Sequence, residues 1–163
     1  MNAWVVGLLN QRIKSNPNMN IESISGLELL QAIARGEHPH PMMAGVIPMV
    51  FKEISDGYVL FEAMANESHA NPMGGTHGGF AATVLDSVTG CAVHTKLEAG
   101  VGYGTIELNV KMMRPVPQNT TLVAEGRVIN LSRSLGVSEG TLKDESGKLY
   151  AHGTCTCMII RPK

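Results

Sequence analysis

The sequence of 163 residues predicts an α+β fold, an antiparallel β-sheet wrapped around a central α-helix, with an extra N-terminal helical segment. Three observations carry that expectation. The elements run as two helices, two strands, one long helix and then strands alone, without the regular β-α alternation of a doubly wound sheet. The long helix is apolar around most of its circumference, through Phe80, Ala81, Val84, Leu85, Val88, Cys91, Ala92 and Val93, as a buried helix is. The first two strands flank Ser55-Asp56-Gly57, which has hairpin-turn chemistry and so argues for antiparallel pairing.

The elements follow in order. Trp4, Val5, Leu8, Leu9 and Ile13 have helical spacing over 2–14. A second helix, 25–35, has Leu27, Leu29, Leu30, Ile33 and Ala34 as its apolar set, with Gly36 as its stop signal. His38-Pro39-His40-Pro41 is an irregular connector. Strands are expected at Val46–Ile54 and Tyr58–Ala65. A loop over 66–76 leads into the long helix, 77–96. Further strands follow at Val101–Met113, Thr120–Leu131, Ser134–Asp144 and Leu149–Ile160, the first of them ended by Arg114-Pro115-Val116-Pro117. Residues 1–44 read as a helical extension and 45–163 as the sheet-bearing domain.

Composition excludes several classes. Hydrophobic residues at 44% and charged residues at 17% belong to a folded globular chain. Low charge with a mean hydropathy of +0.05 points to surface buried against other copies of the chain. A net charge of −1 leaves no basic footprint for nucleic acid. No stretch approaches the roughly 20 apolar residues of a membrane span. Met1–Ser15 lacks the basic start and cleavage site of a secretion signal. Three cysteines are an odd count without a disulfide framework, which indicates a reducing, cytoplasmic setting.

The chemistry concentrates in residues 71–86. A turn-rich loop feeds a helix start at His77, Gly78 and Gly79, where backbone N–H groups are free to meet negative charge. The small residues Gly78, Gly79, Ala81 and Ala82 would let other backbone approach that first turn closely. Asp86 then stands in an apolar run, where a carboxylate must find partners or do chemistry. Eight residues separate it from Gly78, roughly 12 Å along a helix axis. A carboxylate that far away cannot reach a carbonyl held at the Gly78 N–H. If both act on one substrate, Asp86 comes from a second copy, and two antiparallel helices across a two-fold axis give two equal sites.

Asn71, then Gly75-x-His77-Gly78-Gly79, then Asp86 resembles the signature of hotdog-fold acyl-CoA thioesterases of the phenylacetate-pathway, or PaaI-like, group. The similarity covers roughly residues 45–160, and the Gly26–Met49 leader resembles that of many members. The resemblance implies hydrolysis of an acyl-CoA to acid and thiol without metal or organic cofactor, in a homodimer or homotetramer. It implies that Gly78 donates to the thioester oxygen. Asp86 of the partner subunit would be general base or nucleophile. Asn71 would position water or substrate, His77 would bond near the thioester, and Thr105 would hold water beside the acid. Gly79 would border the substrate, and Arg133, Arg114 or Lys111 could meet coenzyme A phosphates.

Plainer roles compete with these. Asn71-Pro72 also suits a turn, and Thr105 also suits a strand. Glu107 alternates with Thr105 on one strand face and reads as solvated or paired. The histidines lack carboxylates or cysteines at zinc spacing, so no metal site is expected. Cys155-x-Cys157 reads as core packing on one sheet face. The methionines read mostly as core, with some lining an adaptable acyl pocket. A hydroxyacyl-thioester dehydratase or hydratase using His77 with Asp86 is the alternative enzyme, and an acyl-CoA-binding module the alternative without catalysis.

Overall fold

A computed structural model describes residues 20–162. The first helix read from the sequence, 2–14, lies outside them. The described residues open with a 3₁₀ turn, Ile21–Ser23, and helix α1, Gly26–Ala34. Ser25 caps α1 in a capping box with Glu28, whose side chain returns to the Ser25 backbone N–H at 2.8 Å. Leu30, Ala32 and Ile33 turn inward. The Gly26 N–H donates to the Leu97 carbonyl at 3.0 Å, fixing α1 to the end of the long helix.

One antiparallel sheet follows. Its strands are β1 Met49–Ser55, β2 Tyr58–Ala63, β3 Gly102–Met112, β4 Leu122–Leu131, β5 Leu135–Asp144 and β6 Leu149–Ile160. They lie in the order β1-β2-β4-β5-β6-β3, so β1 and β3 are the edges. Gly57, at φ +76°, closes the β1–β2 hairpin in the left-handed region that glycine tolerates. The expected first strand begins too early. Pro41 precedes a single helical turn, α2, Met43–Val46, and the strand starts only after Pro48.

The long helix α3, Gly78–His94, runs across the concave face of the sheet. Phe80, Val84, Leu85, Val88 and Ala92 are essentially inaccessible and form the core with Val59, Phe61, Leu122, Ala124 and Leu142. Each such side chain contributes about 1.5–3 kcal/mol of burial.

Close approach arises from the strands rather than from the first helical turn. A Cβ at Gly126 would lie 2.3 Å from the Val88 carbonyl oxygen, and one at Gly140 would lie 2.9 Å from Thr89 Cγ2. Ser138 Oγ completes the contact by donating to the Thr89 carbonyl at 3.0 Å. At the helix start the neighbours of Gly78 and Gly79 are side chains, Met112 and His77. Nor is the helix covered all round. Thr83, Asp86, Ser87 and Cys91 stay partly accessible on the side left open between the two edge strands.

A β-bulge in β3 overturns another expectation. Thr105 pairs with Cys157, but Glu107 pairs with Thr156, one step out of register. The extra residue, Ile106, sends Glu107 to the outer face, where Thr156 Oγ1 donates to it at 3.3 Å. Thr105 and Glu107 therefore face opposite sides. No helix among the described residues is long and apolar enough to cross a membrane.

Candidate active site

A histidine organises the loop before α3. Asn66 Oδ1 accepts from Ser68 N–H at 2.9 Å and opens a 3₁₀ turn, Glu67–His69. The buried His69 accepts from Asn66 N–H through Nδ1 at 3.0 Å, so its proton is on Nε2, which donates to the Val46 carbonyl at 2.8 Å. The His69 carbonyl accepts from His77 N–H at 2.8 Å. Its ring lies 5.3 Å from that of Phe80. One residue thus joins α2, the loop and the start of α3. Sequence reasoning passed over it, although Asn66-x-x-His69 has the spacing of a reciprocal cap.

Asn71 shapes the loop tip. Its Oδ1 accepts from Met73 N–H at 2.9 Å, its backbone N–H donates to the Gly75 carbonyl at 2.7 Å, and its carbonyl accepts from Gly74 at 2.9 Å. The turn role is therefore real, and no bond within the protomer engages Nδ2 among the described residues.

His77 is the N-cap of α3. Its backbone is extended and its Nδ1 accepts from Gly79 N–H at 2.9 Å. Phe80 N–H donates to the His77 carbonyl at 3.0 Å. That leaves Gly78, among the first three helical N–H groups, without a partner inside the protomer. The Gly79 N–H is committed to the cap and is not free for a ligand. Neighbouring Thr76 carries a buried hydroxyl oxygen with no partner.

Asp86 is half-buried two turns along the helix, and its Oδ1 accepts the Thr105 hydroxyl proton at 2.9 Å. Behind Thr105 stand two buried thiols, 3.5 Å apart, and Cys155 donates to Thr105 Oγ1 at 3.8 Å. The bond to Cys155, with burial, pushes the Cys157 thiol up. These thiols pack against Thr105, which the resemblance places beside the acid and which bonds to it directly.

Asp86 and Thr105 open onto a cavity of about 340 Å³ between the edge strands. Its apolar wall comprises Met43, Ala44, Met49, Phe51 and Phe61. Tyr103 and Cys91 also line it. Burial pushes the Cys91 thiol up to about 12 and also pushes the Tyr103 hydroxyl up, so both are neutral at ordinary pH. The T-shaped pair Phe51–Phe61, with ring centroids 4.6 Å apart, stiffens the apolar side.

The two arginines part company. Arg114 donates to the Leu149 carbonyl at 2.6 Å, at the start of β6. Arg133 lies beside the far end, where its carbonyl accepts from Arg161 at 3.4 Å. The length of β6 separates them by roughly 35–40 Å, so they cannot share one phosphate within a protomer. Gly78 and Asp86 likewise stay about 12 Å apart along one helix.

A single long helix packed on an antiparallel sheet, with an unpaired N–H at its start and a hydroxyl-held carboxylate facing an apolar cavity, is the arrangement of a hotdog-fold thioester hydrolase. The thioesterase superfamily model matches residues 73–151, spanning helix start, carboxylate and threonine. A crystal structure of a phenylacetic acid degradation-related protein from Ralstonia eutropha JMP134 is 32% identical, with a TM-score of 0.73 over 79% of this chain and 98% of that one. Human acyl-coenzyme A thioesterase 13 is 26% identical over 130 residues, 79% of this chain and 90% of its own. The E. coli PaaI protein shares the fold, with a TM-score of 0.73 at 16% identity over 83% of this chain and 96% of that one. The chain belongs to the thioesterase superfamily, as the Asn71 to Asp86 signature led one to expect.

Proposed function

We propose that this thioester hydrolase acts on acyl-CoA in the cytoplasm, as a homodimer or a pair of dimers whose sites each use two protomers. The carrying observation is the separation of the unpaired Gly78 N–H from Asp86 on one rigid helix. The thioester oxygen sits at Gly78 of one protomer, where the N–H and the helix dipole stabilise the oxyanion. Asp86 of the other protomer, oriented by Thr105, takes a proton from the attacking water. The tetrahedral intermediate then collapses with loss of the thiolate. Asn71 Nδ2 and the His77 ring border the same helix start, and the acyl chain lies in the apolar cavity.

Edge geometry supports the dimer. β3 is an eleven-residue edge strand with Ile106 58% and Met112 55% exposed, an open template for a second copy. The orphaned Thr76 hydroxyl is a further group that a second chain or substrate would satisfy. Exposed Leu135, Met158 and Ile160 on neighbouring strands form the face on which dimers pair into a tetramer. Free thiols at Cys91, Cys155 and Cys157 suit a reducing compartment. Acyl-CoA is the substrate class in the name of the human relative, and the cavity offers space for its acyl part.

Thiol release from an acyl-CoA panel by wild type and Asp86→Asn tests the reading. Release by wild type alone supports it. Equal release by both refutes the role of Asp86, and binding without release replaces catalysis with a binding module. A single turnover in ¹⁸O-water, with trapping of any adduct, separates base from nucleophile. Label found on Asp86 identifies direct attack through an anhydride opened at the Asp86 carbonyl, whereas a trapped acyl–Asp86 adduct is the further sign required if all label enters the product acid. Hydration of an enoyl-CoA without thiol release would instead indicate the hydratase.

A further inference from the structure

The cavity beside Asp86 is walled by chain that lies outside the matched family segment. His40, Pro41, Met43 and Ala44 line the same cavity as Asp86, Ser87 and Thr105. Without them this side of the cavity would open to solvent. We infer that Met43 and Ala44 are specificity-determining residues that set the length of the acyl group, and that the enzyme takes compact acyl groups rather than long fatty ones. This inference rests on the proposed thioesterase reading and on the cavity as its acyl pocket.

The wall is held at both ends. On the N-terminal side, Glu37 N–H donates to the Ala32 carbonyl at 2.9 Å, and Leu30, Ala32 and Ile33 are buried. On the C-terminal side, Ile47 N–H donates to the Met43 carbonyl at 2.8 Å, and His69 Nε2 donates to the Val46 carbonyl at 2.8 Å. His69 also carries the backbone bond to His77, so the wall is referenced to the helix start. The His40 ring lies 6.4 Å from that of Phe51. Burial holds His40 below the usual histidine range, keeping this part of the wall uncharged near neutral pH.

Size then selects. An apolar cavity of about 150 Å³ accommodates one benzene ring. The volume of about 340 Å³ is roughly twice that, space for a ring-bearing or medium-length acyl group, whereas an extended fatty chain would have to run out of it into solvent. Met43 is 51% exposed, so its side chain can be changed without removing a core anchor. Shortening it should lengthen the pocket toward solvent, and enlarging Ala44 should fill it. One methylene in such a pocket changes selectivity by about 10-fold or more.

The test is kcat/KM for butyryl-, octanoyl-, benzoyl- and palmitoyl-CoA with wild type, Met43→Ala and Ala44→Phe. Melting temperatures of all three confirm folding. Wild type should favour octanoyl- or benzoyl-CoA over palmitoyl-CoA. Met43→Ala should raise the palmitoyl-to-octanoyl ratio at least 5-fold, and Ala44→Phe should raise the butyryl-to-octanoyl ratio by a similar factor. Ratios unchanged within about 2-fold in both folded variants, or parallel losses on every substrate, would overturn the inference while leaving the thioesterase reading intact. Absence of thiol release by wild type on every substrate would instead overturn the reading beneath it.

Discussion

Thr105 Oγ1 donates a hydrogen bond to Asp86 Oδ1 at 2.9 Å, coupling the sheet edge to the open stripe of the central helix. A hydrogen bond to a charged group is worth about 1.5–3 kcal/mol, more than a neutral one. Its loss would free the carboxylate to rotate away from the reacting carbonyl. Thr105→Val should lower kcat about 10- to 100-fold with a small change in KM. Thr105→Ser should keep most of the activity. Equal loss in both variants would assign the residue to strand packing instead.

The two-protomer site makes a sharper prediction. Asp86→Asn should lose about 10²- to 10⁴-fold in kcat, the range for a missing general base. Gly78→Pro removes the proposed oxyanion donor at the first helical position, where proline is tolerated. The closest obstacle to the added Cβ is the flexible Met112 side chain, which must shift. In a mixed dimer of these variants, one site combines both defects and the other has neither. Statistical remixing should therefore restore about a quarter of wild-type activity. No recovery, with exchange verified by mass spectrometry, would show that each site lies within one protomer.

Much of this architecture was legible in the residues. The sheet-facing side of the helix followed from Phe80, Val84, Leu85 and Val88, and the helix start followed from His77-Gly78-Gly79. What escaped reading depends on register and tertiary contact. Strict alternation placed Thr105 and Glu107 together, and a single bulged residue parts them. The stretch before β1 was read as strand because Val46, Ile47, Met49 and Val50 are apolar, yet Pro41 and Pro48 set the boundaries of a helical turn. His69 carries no motif chemistry of its own; its three contacts join segments that only the folded chain brings together.

Acid should weaken the fold in a window set by histidine. Burial holds His94 below the usual range, as it does His40. The last helical turn would favour a charged His94, but its burial, beside the Tyr103 ring with centroids 5.2 Å apart, outweighs that. The unfolded chain therefore takes up protons before the folded one. Stability from these groups is full above about 6.5 and declines as pH falls below it toward their folded values. Melting temperature should drop between pH 7.5 and 5.5, and His94→Phe should flatten part of that slope. An unchanged slope in the variant would remove His94 from the explanation. The paired carboxylates act in a separate, lower window, since burial-opposed hydrogen bonds hold Glu125 and Glu139 below 4.5.

Replacing His69 tests how far the site depends on its support. His69→Ala removes two side-chain hydrogen bonds and leaves Val46 C=O and Asn66 N–H without those partners. An unsatisfied buried group costs about 1–3 kcal/mol, so the variant should lose about 3 kcal/mol, or roughly 10 °C in Tm. Its second effect should be on activity, measured well below the new Tm. With the loop released from Val46, the cap at His77 and the wall at Met43 lose their common anchor. Thus kcat should fall and acyl-length preference should broaden together. His69→Gln, which offers an acceptor and a donor at different reach, should recover part of the stability. A variant that melts earlier but keeps both wild-type kcat and wild-type acyl preference would show that His69 supports the fold alone.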